Sequence, residues 1–194
     1  MARTLTAVTY RLELAQRLTL MKNVWEVTRT DGPARQPVAK VAQARLKLRE
    51  QVTCTTPDDN ATIFTLRARN LLELGGTYDV TEYTGAHLGT ITKDFAASLG
   101  RSTYRIETPS GNWTVTETNP TLAILRRVVS IVADVPWLLR VQFSILDETG
   151  RQVGHVNRAN MRIKDTYDIL VEDDRLDMRM AIAAGVAVDA FMNR

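Results

Sequence analysis

"LDMRMAIAAGVAVDAFMNR", residues Leu176 to Arg194, closes the chain, and its reading decides the fold. Only Met180 to Val188 is free of charge, and Arg179 and Asp189 bracket it about 15 Å apart along a helix axis. A membrane-spanning helix needs roughly 20 apolar residues, so no transmembrane segment is expected. Ala181, Ile182, Ala183, Ala184, Gly185, Val186, Ala187 and Val188 point in every direction around a helix and leave no polar stripe for water. A helix apolar all round belongs inside something. Its side chains are mostly small, which keeps it thin. Strands of about five to seven residues at about 3.3 Å each, tilted in a closed sheet, make a wall of comparable height. The expectation is a thin helix, about 175–192, threaded through a closed β-barrel with Arg179 and Asp189 near its two mouths. Asp174 is the expected cap, with Glu172 and Asp173 at the positive end of the helix dipole and Asp177 three residues on.

Upstream, an aromatic residue, alternating apolar positions and a Gly-bearing turn recur along the chain. The copies are "WEVTRTDG" from Trp25, "YDVTEYTGAHLGTI" from Tyr78, "YRIETPSGNWTV" from Tyr104 and "FSILDETGRQVGHV" from Phe143. Asp31-Gly32, Thr84-Gly85, Ser110-Gly111 and Thr149-Gly150 each offer a residue that tolerates positive φ where two strands reverse. "VTCTTPDDNATIFTL", Val52 to Leu66, reads as a further pair reversing at Pro57-Asp58-Asp59-Asn60. Thr121–Val132 and Pro136–Leu146 fit a strand or a short helix by periodicity alone, and their β-branched content and neighbours favour strands. Eleven or twelve strands and one terminal helix make the fold class all-β with one helix, a closed barrel of about twelve strands around a central hydrophobic helix. Asn119-Pro120 is the best internal boundary, but without a flexible linker residues 1–194 read as a single domain.

With 44% hydrophobic and 24% charged residues, the 194-residue chain has the composition of a folded globular protein rather than a disordered one. "MARTLTAVTYRLELAQRL" breaks its apolar residues with Arg, Glu and Gln and has no secretory core. Cys54, the single cysteine, allows no internal disulfide and fits a reducing, cytoplasmic setting. Charge is uneven. Residues 1–69 hold twelve Lys/Arg against six Asp/Glu, and residues 70–194 hold thirteen against sixteen. A basic first third attracts anionic lipid headgroups or nucleic acid; a solvated face of mixed charge is the plainer reading of the same numbers.

The ending "DDRLDMRMAIAAGVAVDAFM", preceded by "GRQVGHVNR" and "DTYDILVED", resembles the C-terminal part of phospholipid scramblases and LURP-one-related proteins, both of the tubby C-terminal-like superfamily. "LTLMKNVWEVTRTDG" and "YDVTEYTGAHLGTITKDF" are similar to that superfamily's opening strand and Gly-turn hairpins. The resemblance spans about residues 15–192. It implies a twelve-stranded barrel around a central C-terminal helix. For activity it implies less: tubby-type members bind phosphoinositides, scramblase-type members are associated with calcium-triggered lipid movement, and LURP-one-related members mostly lack a defined biochemistry. The chain departs from the scramblase pattern in having no Pro-rich N-terminal extension and no cysteine cluster for acylation.

No Gly-rich phosphate loop, serine elbow or metal-binding helix motif occurs, so a non-enzymatic protein without cofactor is expected. Cys54 has no base beside it in sequence, and His87 and His155 have no partner at metal-ligand spacing, so all three read as strand residues. The basic candidates are Arg45, Lys47 and Arg49, which share one face of an alternating strand while Leu46 and Leu48 take the other. Arg35 and Lys40 lie just before them, and Arg67, Arg69, Arg126 and Arg127 extend the patch. Such a face meets acidic phospholipid or phosphoinositide headgroups, or else guards an exposed strand against aggregation. No metal site is expected, since the acidic run Asp165, Asp168, Glu172 falls where scramblase-type members carry a proposed calcium loop but lacks the central Gly and alternating ligand spacing. The expected partner is an anionic membrane surface for a cytoplasmic, peripheral membrane protein, with a scaffold or regulator that binds another protein as the alternative. Nucleic acid is disfavoured because the aromatics are not interleaved with the basic residues, and scrambling because the one apolar helix is needed inside the barrel.

Overall fold

The computed structural model describes residues 9–18, 22–44, 51–69, 76–94, 102–119, 141–159 and 166–192. The described strands are β1 (Tyr10–Leu18), β2 (Lys22–Arg29), β3 (Gln36–Ala44), β4 (Gln51–Thr55), β5 (Thr62–Ala68), β6 (Thr77–Glu82), β7 (His87–Lys93), β8 (Thr103–Thr108), β9 (Gly111–Glu117), β10 (Val141–Leu146), β11 (Gln152–Ala159) and β12 (Thr166–Val171). Each pairs antiparallel with its neighbours in sequence, and β1 pairs with β12 to close a twelve-stranded barrel. Closure leaves no free edge.

Period-two sequence becomes period-two burial. In β12, Tyr167, Ile169 and Val171 are buried while Thr166, Asp168 and Leu170 stay half-buried, and β4 buries Val52 and Cys54 between partly exposed neighbours. A wall of twelve strands encloses more space than its own side chains fill. Helix α1 (Met178–Met192) takes that space: its apolar residues from Met180 to Val188 are only 0–4% exposed. Small residues on α1 meet large ones on the wall, where Trp25, Trp113, Tyr104, Tyr167, Phe64 and Phe143 are fully buried. At Gly185 a methyl group would sit 2.7 Å from Ile169 Cδ1 on β12 and 3.0 Å from Leu14 Cδ2 on β1.

Turn chemistry works as read at three of four hairpins: Gly85, Gly111 and Gly150 have positive φ. Gly32 does not. The reversal there runs from Thr30 to Arg35 and contains Pro33, whose ring pushes the preceding residue toward extended conformations, so the turn is spread out rather than tight. In the Tyr78 hairpin the regular register that pairs Tyr78 with Ile91 puts Gly89 opposite Val80, in the inward phase of Ile91 and just before a bulge at Val80/Thr81. A Cβ at Gly89 would fall 2.4 Å from the Glu107 carbonyl oxygen and 2.9 Å from Met180 Cε, so only glycine lets the start of α1 pass.

The helix departs from expectation at both ends. It begins at Met178, three residues later than expected, and its cap is Asp177 rather than Asp174: Asp177 Oδ1 accepts the Arg179 N–H at 2.8 Å and its carbonyl accepts the Ala181 N–H at 3.1 Å. The chain turns before the helix because Asp173 and Leu176 are already buried in the mouth. At the other end Asp189 is 1% exposed rather than wetted, and Tyr167 donates its phenolic hydrogen to Asp189 Oδ1 at 2.5 Å. Residues 121–132 lie outside the described residues; of 136–146, the part from Val141 is β10.

Candidate functional site

Antiparallel succession puts alternate connections at opposite ends of the barrel. The connections after the even-numbered strands gather at the rim where α1 starts, and all six are described. Asp31 and Arg35 cancel, Asp58 and Asp59 add two negative charges, Asp147 and Glu148 against Arg151 add one, and Glu172, Asp173, Asp174 and Asp177 against Arg175 add three, for a net −6. The connections after odd-numbered strands lie mostly outside the described residues. Their sequences carry Arg45, Lys47, Arg49, Arg69, Arg101, Arg126, Arg127, Arg140, Arg162 and Lys164 against Glu50, Glu73, Asp94, Asp134 and Asp165, a net +5.

The helix-start rim is tied together by charged pairs. Tyr10 donates to the Leu176 carbonyl at 2.7 Å, and Trp113 Nε1–H donates to Asp173 Oδ2 at 3.1 Å. Arg175 binds the same carboxylate at 2.8 Å, with its guanidinium 5.7 Å from the centre of the Trp113 ring. Arg179 spans Asp177 at 2.6 Å and Glu82 on β6 at 2.5 Å, fastening the first turn of α1 to the wall. The Arg175 guanidinium holds the Asp173 carboxyl below the usual range; at Asp177 burial pushes upward, but Arg179 outweighs it and the net shift is downward. A cavity of about 180 Å³ among Leu88, Pro109, Met180, Arg175 and Arg179 is therefore walled by cations that already have anionic partners. A second depression, about 450 Å³, crosses the outside of β8 and β9 beside the Arg105–Asp94 ion pair.

Arg45, Lys47 and Arg49 lie outside the described residues, as do Arg126, Arg127 and Asp165. The strands on either side of the basic stretch are informative. β3 buries Ala39 and Val41, whereas β4 buries Val52 and Cys54, with Val41 opposite Cys54. Each strand keeps its own alternation, set by the pairing of Val41 with Cys54. Arg35 pairs with Glu13 at 2.5 Å, Arg69 with Asp79 at 2.7 Å, and Lys40 Nζ donates to the Pro57 carbonyl at 2.6 Å. Arg67 differs. It is exposed, has no ion pair among the described residues, and stands in register with Gln51 at the start of β4.

Asp168 is held by Arg11 through two bonds of 2.8 Å each, and Glu172 lies four residues on, about 13 Å along an extended chain. The two are not brought together. His87 and His155 lie on β7 and β11, four strands apart around the wall. Cys54 is 0% exposed, and burial pushes its thiol up to about 12, so its thiolate is not available near neutral pH. The division of charge between the two rims was not read from the sequence; its signal, the sum over alternate connections, exists only once the strands are paired.

The family model described as LURP-one-related matches residues 38–189. No curated protein and no solved structure matches the chain.

Proposed function

The chain belongs to the LURP-one-related family, within the tubby-like superfamily, and from that premise we propose a non-enzymatic β-barrel module that binds an anionic membrane surface through Arg45, Lys47 and Arg49. Phosphoinositide-like or acidic phospholipid headgroups are the ligand class, and the setting is cytoplasmic and peripheral to the membrane. The observation that carries the reading is Arg67. Other described arginines of the basic first third, Arg11, Arg17, Arg29, Arg35 and Arg69, each already face a carboxylate. Arg67 forms no ion pair among the described residues, its cross-strand neighbour Asp79 being bound by Arg69, and it flanks the start of β4, the strand that follows Arg45, Lys47 and Arg49 in sequence. Filling of the interior by α1 also supports an external ligand. No described helix is long and apolar enough to cross a membrane.

Each Lys or Arg near an acidic surface contributes about 1 kcal/mol, so three together change binding on the order of a hundredfold. Co-sedimentation with phosphatidylcholine vesicles, with and without phosphatidylserine, is expected to require the acidic lipid and to weaken as salt rises. Arg45→Glu, Lys47→Glu and Arg49→Glu together are expected to abolish it. Binding to neutral vesicles alone, no binding at any salt, or an unaffected triple variant contradicts the proposal.

A protein-binding scaffold is favoured by one observation: Tyr83, on the β6–β7 turn, is 72% exposed and is the one exposed large hydrophobic side chain among the described residues. That reading expects partner capture that survives charge reversal at Arg45 and Arg49 and falls with Tyr83→Ala.

A further inference from the structure

The connections described at the helix-start rim carry a net −6. We infer that the barrel stands on an acidic membrane with its helix-start rim turned away, toward water. The inference rests on the lipid-binding reading and adds a direction to it. Helix α1, with 15 residues, rises about 22 Å, whereas charges in physiological salt are screened beyond about 8 Å. The rims are therefore nearly independent at a charged surface, and the nearer one decides the encounter. A rim of net −6 brought against anionic headgroups is repelled. At the other end lies Arg67, exposed on β5 near the start of β4 and without an ion pair among the described residues. The arrangement leaves Tyr83 and the paired cluster Trp113, Asp173, Arg175 at the end facing the aqueous phase.

Two exposed positions mark the ends: Ser110 in the β8–β9 turn at the helix-start rim, and Gln142 near the start of β10 at the opposite rim. Ser110→Cys or Gln142→Cys, labelled with a nitrobenzoxadiazole fluorophore while buried Cys54 stays protected, is mixed with phosphatidylcholine–phosphatidylserine vesicles that contain bromine-substituted lipid. Co-sedimentation in the same sample reads binding independently of orientation. The expected result is quenching at position 142 and none at 110. Quenching at 110, or at both positions alike, overturns the orientation while leaving lipid binding in place. Loss of binding by both labelled proteins removes the lipid reading and this inference with it.

Discussion

Asp147 shows how a single carboxylate organises a turn at the helix-start rim. Its Oδ1 accepts the Thr149 hydroxyl at 2.6 Å, the Thr149 N–H at 2.9 Å and the Arg151 N–H at 3.0 Å, while Arg151 Nε–H binds Oδ2 at 3.1 Å. These donors favour the charged form, the Thr149 hydroxyl most of all, and lower the carboxyl to about 2. A carboxyl depressed in the folded state stabilises it above the unfolded value, near 4, and that contribution disappears as pH falls through the folded value. Thermal melts of Asp147→Asn against the native protein are expected to show a deficit that is constant near neutrality and shrinks between about pH 4 and pH 2; a deficit independent of pH contradicts the assignment. Gly185 tests packing at the same scale. Glycine inside a helix is normally a cost of about 1 kcal/mol, yet here Ile169 and Leu14 occupy the space of any side chain. Gly185→Val is therefore expected to destabilise by about 1–3 kcal/mol in urea titration, where helix propensity alone would favour it. Equal or greater stability would show that the wall yields to α1.

Helix α1 joins the barrel through its first turn, and the cap is the point to test. Asp177→Ala is expected to cost about 1 kcal/mol in chemical denaturation, and Asp177→Asn, which keeps an acceptor for the Arg179 N–H, less than half of that. Equal losses would place the role of Asp177 in its ion pair with Arg179 rather than in the cap. The same element shows what the sequence made legible. An apolar run without a polar stripe, bounded by Arg179 and Asp189, announces burial on every side, and the burial of Met180 to Val188 agrees. Hairpins were legible because Gly85, Gly111 and Gly150 are needed for their turn geometry. Features set by contact between distant segments were not. The cap moved to Asp177 because Trp113, sixty residues upstream, holds Asp173. Gly32 differs for a local reason, since its neighbour Pro33 spreads the turn. The candidate site was less legible than the fold: the basic residues were visible, but their sorting by rim depends on which strands pair.

At the scale of the whole molecule, twelve short antiparallel strands close on themselves because the apolar helix occupies the space they enclose, and the helix tolerates its apolar surface because the wall excludes water. Neither part buries its hydrophobic face without the other. The connections described at the helix-start end carry a net −6, and the proposed direction of membrane contact follows from that charge. The dependence of wall and helix on one another is tested most directly by native-state hydrogen exchange on α1. If the helix is enclosed, the amides of Ala183 to Val188 exchange only through global unfolding, with an opening free energy equal to the global stability and falling with denaturant as steeply. Exchange of those amides through a local opening, at a free energy well below that of the core strands β1 and β12, would contradict the enclosed helix on which the fold and the functional proposal stand.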